Sequence, residues 1–120
     1  MVLVADDSAF IRAKLSDLLT GAGYRVVSAE DGRQAWQLYQ ANPELAAVIA
    51  DLEMPVMDGT ALARQVRSAN HKIPIIALTS LASEEDRFRA LEAGVSEFMI
   101  KLDETELLAG LARLLKGALQ

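Results

Sequence analysis

The sequence contains no cysteine, so neither disulfides nor thiolate chemistry are open to it. Its single histidine, His71, precedes Lys72-Ile73-Pro74 and reads as a loop residue. With no second histidine or cysteine nearby, it argues against a zinc-type site and against the Ser/His/Asp and Cys/His sets of turnover hydrolases. No apolar run approaches the length of a membrane span. The N-terminus lacks the basic segment, apolar stretch and small-residue cleavage site of a secretory signal, so a cytoplasmic location is expected. Positive charge is not in excess: the net charge of -5 opposes attraction to nucleic acid or anionic lipid. No nucleic-acid or membrane partner is expected, and a protein or small-molecule partner is. Internal repeats, low-complexity tracts and Pro/Gly/Ser-rich linkers are absent, and 1–120 reads as a single domain.

What is present is the size and balance of one globular domain: 120 residues, 52% hydrophobic and 24% charged. Strand and helix patterns alternate five times. Strands are expected at Val2 to Ala5, Tyr24 to Ala29, Leu45 to Asp51, Ile73 to Thr79 and Glu97 to Ile100. Three of these are nearly continuous apolar runs, as in strands covered on both faces. Ile11, Leu15, Leu18 and Ala22 share one helical face, and Leu107, Leu108, Leu111, Leu115 and Ala118 share another. Both stripes are expected to pack on the sheet. Ser8 and Ser83 are placed as helix N-caps, and Gly21 and Gly23 can end the first helix. Met57-Asp58-Gly59 reads as turn chemistry, with Gly59 allowing a conformation that other residues resist. Trp36 and Tyr39, three apart on the second helix, read as cover for core or surface.

Chemistry gathers where the apolar strands run out. Asp6 and Asp7 follow the first strand, Asp51 ends the third, Thr79 ends the fourth and Lys101 follows the fifth. In an alternating strand-helix chain the carboxyl ends of the strands share one edge, and open α/β folds bind ligands there. Two carboxylates about 4 Å apart repel by roughly 4 kcal/mol at an effective dielectric near 20. A divalent cation removes that cost, and a few hard oxygen ligands open to water suit Mg²⁺. The ammonium of Lys101 and the hydroxyl of Thr79 suit phosphoryl oxygens. The set favours phosphoryl transfer to a carboxylate. Each element also has a plainer explanation: Asp6-Asp7-Ser8 as strand end plus helix cap, Lys101 as a solvated charge, Thr79 as a strand residue bonded to backbone.

Together, Asp6-Asp7-Ser8, Asp51 followed by Met54-Pro55 and Met57-Asp58-Gly59, Thr79-Ser80 and Lys101 resemble the response-regulator receiver domains of two-component signalling. The resemblance runs the full length. It implies a flavodoxin-like (βα)5 fold, a three-layer sandwich around a five-stranded parallel sheet of order 2-1-3-4-5. It implies that Asp51 takes a phosphoryl group from a phosphohistidine on a histidine kinase or histidine phosphotransfer domain. Asp6, Asp7, Asp51 and the backbone carbonyl of Glu53 would hold Mg²⁺, Asp7 more directly than Asp6. Thr79 and Lys101 would contact the attached phosphoryl group, and Phe98 stands at the position of the family's aromatic switch. Such a domain catalyses its own modification and is not a turnover enzyme.

Where most receivers follow this lysine with proline, this chain has Leu102, for which a trans Lys101-Leu102 peptide is expected. Glu53 and Leu81 occupy positions that influence phosphoryl loss in the family. The run Lys101-Leu102-Asp103 looks most like receivers appended to chemotaxis-type histidine kinases or coupling proteins. The face of the fourth helix, fifth strand and fifth helix is the expected output surface for a downstream protein. A leucine strip left exposed on the fifth helix would mark a partner or homodimer surface. Two other classes stay open: a phosphorylation-independent pseudo-receiver that acts as an interaction module, and a flavodoxin-like cofactor binder. Against the second, Asp6-Asp7 would repel an FMN phosphate.

Overall fold

The computed structural model describes residues 1–70, 72–80, 83–101 and 103–118. His71, Leu81 and Leu102, with the Lys101-Leu102 peptide, lie outside the described residues. Five strands and five helices alternate: β1 (Val2–Ala5), α1 (Ala9–Gly21), β2 (Val26–Ala29), α2 (Gly32–Ala41), β3 (Ala47–Asp51), α3 (Gly59–Ala69), β4 (Ile75–Thr79), α4 (Glu84–Glu92), β5 (Glu97–Ile100) and α5 (Glu104–Ala118). The strands form one parallel sheet in the order β2-β1-β3-β4-β5, as expected for the flavodoxin-like arrangement.

Side chains alternate across each strand, so the two faces build two cores. Leu3, Val48, Ala50, Ile75 and Ala77 meet Ala35 of α2, Leu62 and Val66 of α3, and Ala90 of α4. On the other face Val2, Val4, Ile49, Ile76, Leu78 and Met99 meet Leu15 and Leu19 of α1 and Leu107 and Leu111 of α5. The central strands β1, β3 and β4 are buried along their whole length, which explains their unbroken apolar runs. The sheet is thereby enclosed between two helical layers.

Strands β2, β3 and β4 each begin two residues later than the apolar runs suggest. The preceding residues have their backbone committed elsewhere. Tyr24 N–H donates to the Leu19 carbonyl at the end of α1, and Leu45 N–H donates to the Asn42 carbonyl. Ile73 N–H donates to Asn70 Oδ1, and Pro74 has no N–H to give. On α1, Leu19 takes the core position and Ala22 is the exposed C-cap, because the helix ends before Ala22 can reach the sheet. Gly23, at φ 97°, makes the reversal into β2. The N-caps stand as expected: Ser8 Oγ accepts from Ile11 N–H at 3.3 Å and Ser83 Oγ from Asp86 N–H at 3.0 Å. Trp36 and Tyr39 stack at 5.5 Å between centroids and lie half-buried against the core, as cover rather than ligand site.

α5 presents no exposed leucine strip among the described residues. Leu107 and Leu111 are buried, while Leu108, Leu114 and Leu115 pack partly against the core. The exposed apolar groups on this side come instead from α4, as Phe88 and Leu91, and from β5, as Ile100. At the opposite end of the sheet from the strand carboxyl termini, Arg67 Nε donates to the Gly94 carbonyl at 2.7 Å and its Nη2 to Ser96 Oγ at 3.1 Å. That clamp ties α3 to the α4–β5 turn.

Candidate functional site

Among the described residues, the buried polar side chains are those of Asp6, Asp51 and Thr79. Burying polar groups is costly unless they are partnered, so three at one sheet edge mark a built pocket. Each stands at or just beyond the carboxyl end of a strand: Asp6 after β1, Asp51 at the end of β3 and Thr79 at the end of β4. Lys101, just past β5, is fixed through its backbone, whose N–H donates to the Thr79 carbonyl at 2.8 Å. Its ammonium lies between the carboxylates, 2.9 Å from Asp51 Oδ2 and 3.0 Å from Asp6 Oδ2.

The remaining atoms of these carboxylates are held by backbone. Asp51 Oδ1 accepts from Glu53 N–H at 3.1 Å, and Asp6 Oδ1 accepts from Ser8 N–H at 2.9 Å. Asp6 Oδ2 is different. It is buried within ion-pair reach of Lys101 yet accepts no aligned hydrogen bond. Asp7 is exposed, and its carboxylate comes within 4.8 Å of those of Asp6 and Asp51. The ammonium pairs with two of the three carboxylates. A hard divalent cation fits the negative charge left in excess. Glu53 is exposed and its carboxylate stands apart from the three; its amide is what touches Asp51.

Electrostatics divide the cost unevenly. Burial pushes the Asp51 carboxyl above its ordinary value, and the neighbouring Asp6 adds to that. The hydrogen bonds from Lys101 and Glu53 only partly offset the rise. For Lys101, burial acts to lower the ammonium, but its contacts with the Asp51 and Asp6 carboxylates outweigh that and the net shift is upward. The ammonium is thus favoured while Asp51 bears the cost of desolvation.

The loop that carries Asp51 into α3 is held by close backbone approach. Gly32 N–H, at the start of α2, donates to the Met57 carbonyl at 3.0 Å; a Cβ on Gly32 would lie 2.0 Å from that oxygen. A Cβ on Gly59 would lie 2.4 Å from the Asp51 carbonyl oxygen. Gly59 is therefore required for space rather than for an unusual backbone angle, contrary to the turn expectation. The unusual angle falls on Val56, at φ 70°. Asp58 caps α3, accepting from Ala61 N–H at 2.9 Å.

Asp6, Asp7, Asp51, Thr79 and Lys101 converge at this edge, and Glu53, expected to contribute its backbone carbonyl, touches Asp51 through its amide. Phe98 lies on β5, half-buried against the core on the α2–α4 side. Two contributors were not singled out from sequence. Gly32 follows Asp31 in a pairing that reads only as a turn or cap. Arg12, one turn into α1, donates from Nη1 to the Asp6 carbonyl at 2.7 Å. A basic residue six places after a strand-end aspartate was its available signal.

An open parallel sheet of this order, with buried carboxylates and a lysine at its carboxyl edge, defines a flavodoxin-like α/β domain with an acidic pocket. The chain belongs to the response regulator receiver domain family of two-component signalling, whose model matches residues 2–112. It is 37% identical over 103 residues to chemotaxis protein CheY1 of Helicobacter pylori, covering 83% of each chain. It is 40% identical over 102 residues to a gliding motility regulatory protein of Myxococcus xanthus, covering 83% of this chain but 13% of that protein. Among solved structures, it resembles the receiver domain of sensor histidine kinase PA1611 from Pseudomonas aeruginosa, which has a magnesium ion coordinated in its active-site cleft. That match has TM-score 0.87 and 30% identity and covers 96% of both chains.

Proposed function

We propose that this chain is a phosphoacceptor switch: Asp51 receives a phosphoryl group from the phosphohistidine of a histidine kinase or histidine phosphotransfer domain. The observation that carries this reading is the Lys101 ammonium lying between Asp6 and Asp51, the two buried members of a cluster of three carboxylates. In the transfer, an Asp51 carboxylate oxygen attacks phosphorus, the phosphorus–nitrogen bond breaks, and the imidazole leaves with the bonding pair. Lys101 follows the charge onto the phosphoryl oxygens, and Thr79 offers its hydroxyl to one of them. Asp6, Asp7, Asp51 and the Glu53 carbonyl would hold Mg²⁺, which supplies positive charge between the carboxylates and the incoming phosphoryl group.

The consequence is regulatory rather than metabolic. A dianion on Asp51 draws Lys101 and Thr79 toward it, and because Lys101 is tied to Thr79 through the β4–β5 ladder, both strand ends respond together. Phe98 follows as the aromatic switch. Output passes to a downstream protein, or to a second copy of the chain, through the α4-β5-α5 face, where Phe88, Leu91 and Ile100 are exposed. Neither nucleic acid nor membrane is a partner in this reading, and the setting is cytoplasmic. Among the described residues no helix is long and apolar enough to cross a membrane.

The test is intact-mass analysis after incubation with phosphoramidate or acetyl phosphate. A labile gain of one phosphoryl group that requires both Mg²⁺ and Asp51, and is lost in Asp51→Asn, supports the proposal. Folded protein that gains nothing under any condition replaces it with the phosphorylation-independent interaction module.

A further inference from the structure

Resting on the reading of the acidic pocket as a Mg²⁺ site, we infer that Arg12 is a positioning residue that sets the relative direction of the Asp6 and Asp7 carboxylates. The carbonyl that accepts from Arg12 Nη1 belongs to the peptide joining these two residues. Fixing its plane fixes the last backbone torsion of Asp6 and the first of Asp7. Those are the torsions that decide where two consecutive side chains point relative to each other.

The groups of Asp6 on either side of that carbonyl are held as well. Asp6 N–H donates to the Ala29 carbonyl at 3.1 Å, which holds the near side to the end of β2. Asp6 Oδ1 takes the Ser8 N–H, which holds the start of α1. The Asp6 carbonyl lies past the last residue of β1, beyond the paired register that ends at Ala5 and Ala50. Arg12 is its donor. Because Arg12 is itself carried by α1, whose N-cap Ser8 is tied to Asp6, the three contacts close a small loop around the peptide. Its outcome is that Asp6 Oδ2 is turned toward Lys101, 3.0 Å from the ammonium.

The guanidinium suits this task better than an ammonium. It is planar, always charged and delivers its donors in a fixed fork, so it restricts the carbonyl's direction as well as its distance. It also brings positive charge to the back of an acidic cluster without occupying a carboxylate oxygen. Groups that orient metal ligands in this way typically change affinity by about 10- to 100-fold when removed.

The experiment compares wild type, Arg12→Ala, Arg12→Lys and the same-helix control Lys14→Ala. Titration calorimetry gives the Mg²⁺ dissociation constant of each metal-free protein, and hydrogen exchange gives the protection of the Ser8 amide. Arg12→Ala is expected to weaken Mg²⁺ binding about ten-fold and to speed exchange at Ser8, with the protection of β3 and β4 amides retained. Lys14→Ala is expected to bind Mg²⁺ as wild type does. Folded Arg12→Ala with wild-type affinity overturns the inference and leaves the phosphoacceptor reading intact. Wild type that binds no Mg²⁺ overturns both. Where Arg12→Ala does not fold, Arg12→Lys decides: weaker binding at an unchanged unfolding midpoint supports the inference, and wild-type affinity refutes it.

Discussion

Val56 is the most direct place to test the physics of the loop behind Asp51. Its φ of 70° is unfavourable for any residue with a Cβ and more so for a β-branched one. Met57 N–H closes a three-residue turn onto the Pro55 carbonyl at 2.7 Å, the rare positive-φ γ-turn. Strain of this kind costs roughly 1 to 3 kcal/mol. The side chain returns little for it, since Val56 is 75% exposed. If full burial of valine is worth about 1.5 to 3 kcal/mol, the buried quarter is worth about 0.5 kcal/mol.

Val56→Gly removes the strain, because without a Cβ glycine enters this region at little steric cost, but it forfeits that small burial and frees the unfolded chain, which costs roughly 0.5 to 1 kcal/mol. The expected net gain is about 0.5 to 1 kcal/mol. Val56→Ala removes only the β-branch and should gain less. The order expected in equilibrium urea unfolding, followed by Trp36 fluorescence in chelator, is Gly above Ala above Val. In thermal unfolding, 1 kcal/mol corresponds to about 4 °C for a domain of this size. Phosphorylation should proceed at the wild-type rate, because Gly32 and Gly59 seat the loop. A glycine variant less stable than wild type would refute the reasoning, since the small burial of Val56 does not offset the strain.

Other consequences are equally measurable. Because the folded-state pKa of Asp51 is raised, its ionisation disfavours folding: the penalty is absent below the ordinary carboxylate value of 3.8 and grows as pH rises through the raised value. Asp51→Asn should therefore be more stable than wild type in chelator at pH 7, with the difference shrinking toward pH 4; a constant or reversed difference counts against the pocket electrostatics. Lys101→Ala leaves Asp6 and Asp51 buried without their shared cation, and should lose roughly 3 kcal/mol in chelator, part of it restored by Mg²⁺ in denaturant titrations. Gly59→Ala forces a methyl group against the Asp51 carbonyl and should cost about 1 to 3 kcal/mol, together with slower phosphorylation by phosphoramidate; a fast, stable variant would contradict the close approach.

The fold was legible because its signals repeat. Five apolar runs with intervening helical stripes leave few arrangements, and chain alternation alone sends Asp6, Asp51, Thr79 and Lys101 to one edge. Strand starts were less legible, since Tyr24, Leu45 and Ile73 are apolar for reasons of packing while their N–H groups serve turns. Hydrophobicity reports burial; it does not report which carbonyl a given N–H meets. The same gap hid Leu19, which replaces Ala22 on the buried face of α1 because the helix ends where it does.

The site divides along the same line. Residues whose charged or hydroxyl side chains stand at the end of an apolar strand were singled out, because that chemistry is unusual there. Those whose contacts are to backbone were missed or misread. Gly32 matters for the space its missing Cβ leaves to the Met57 carbonyl, and Arg12 for a bond to a peptide oxygen that has no letter in the sequence. Gly59 looked like a torsional device, yet the torsion sits three residues earlier on Val56, where no sequence rule favours it. A loop that places a valine at positive φ while two glycines press against neighbouring carbonyls is over-determined from outside: tertiary contacts with α2 and β3 dictate its path, and local preference yields. The acidic pocket inherits its geometry from those contacts. Its carboxylates are therefore positioned by residues that never touch the reacting atoms, and their removal should perturb cation affinity and phosphoryl transfer before it perturbs the fold.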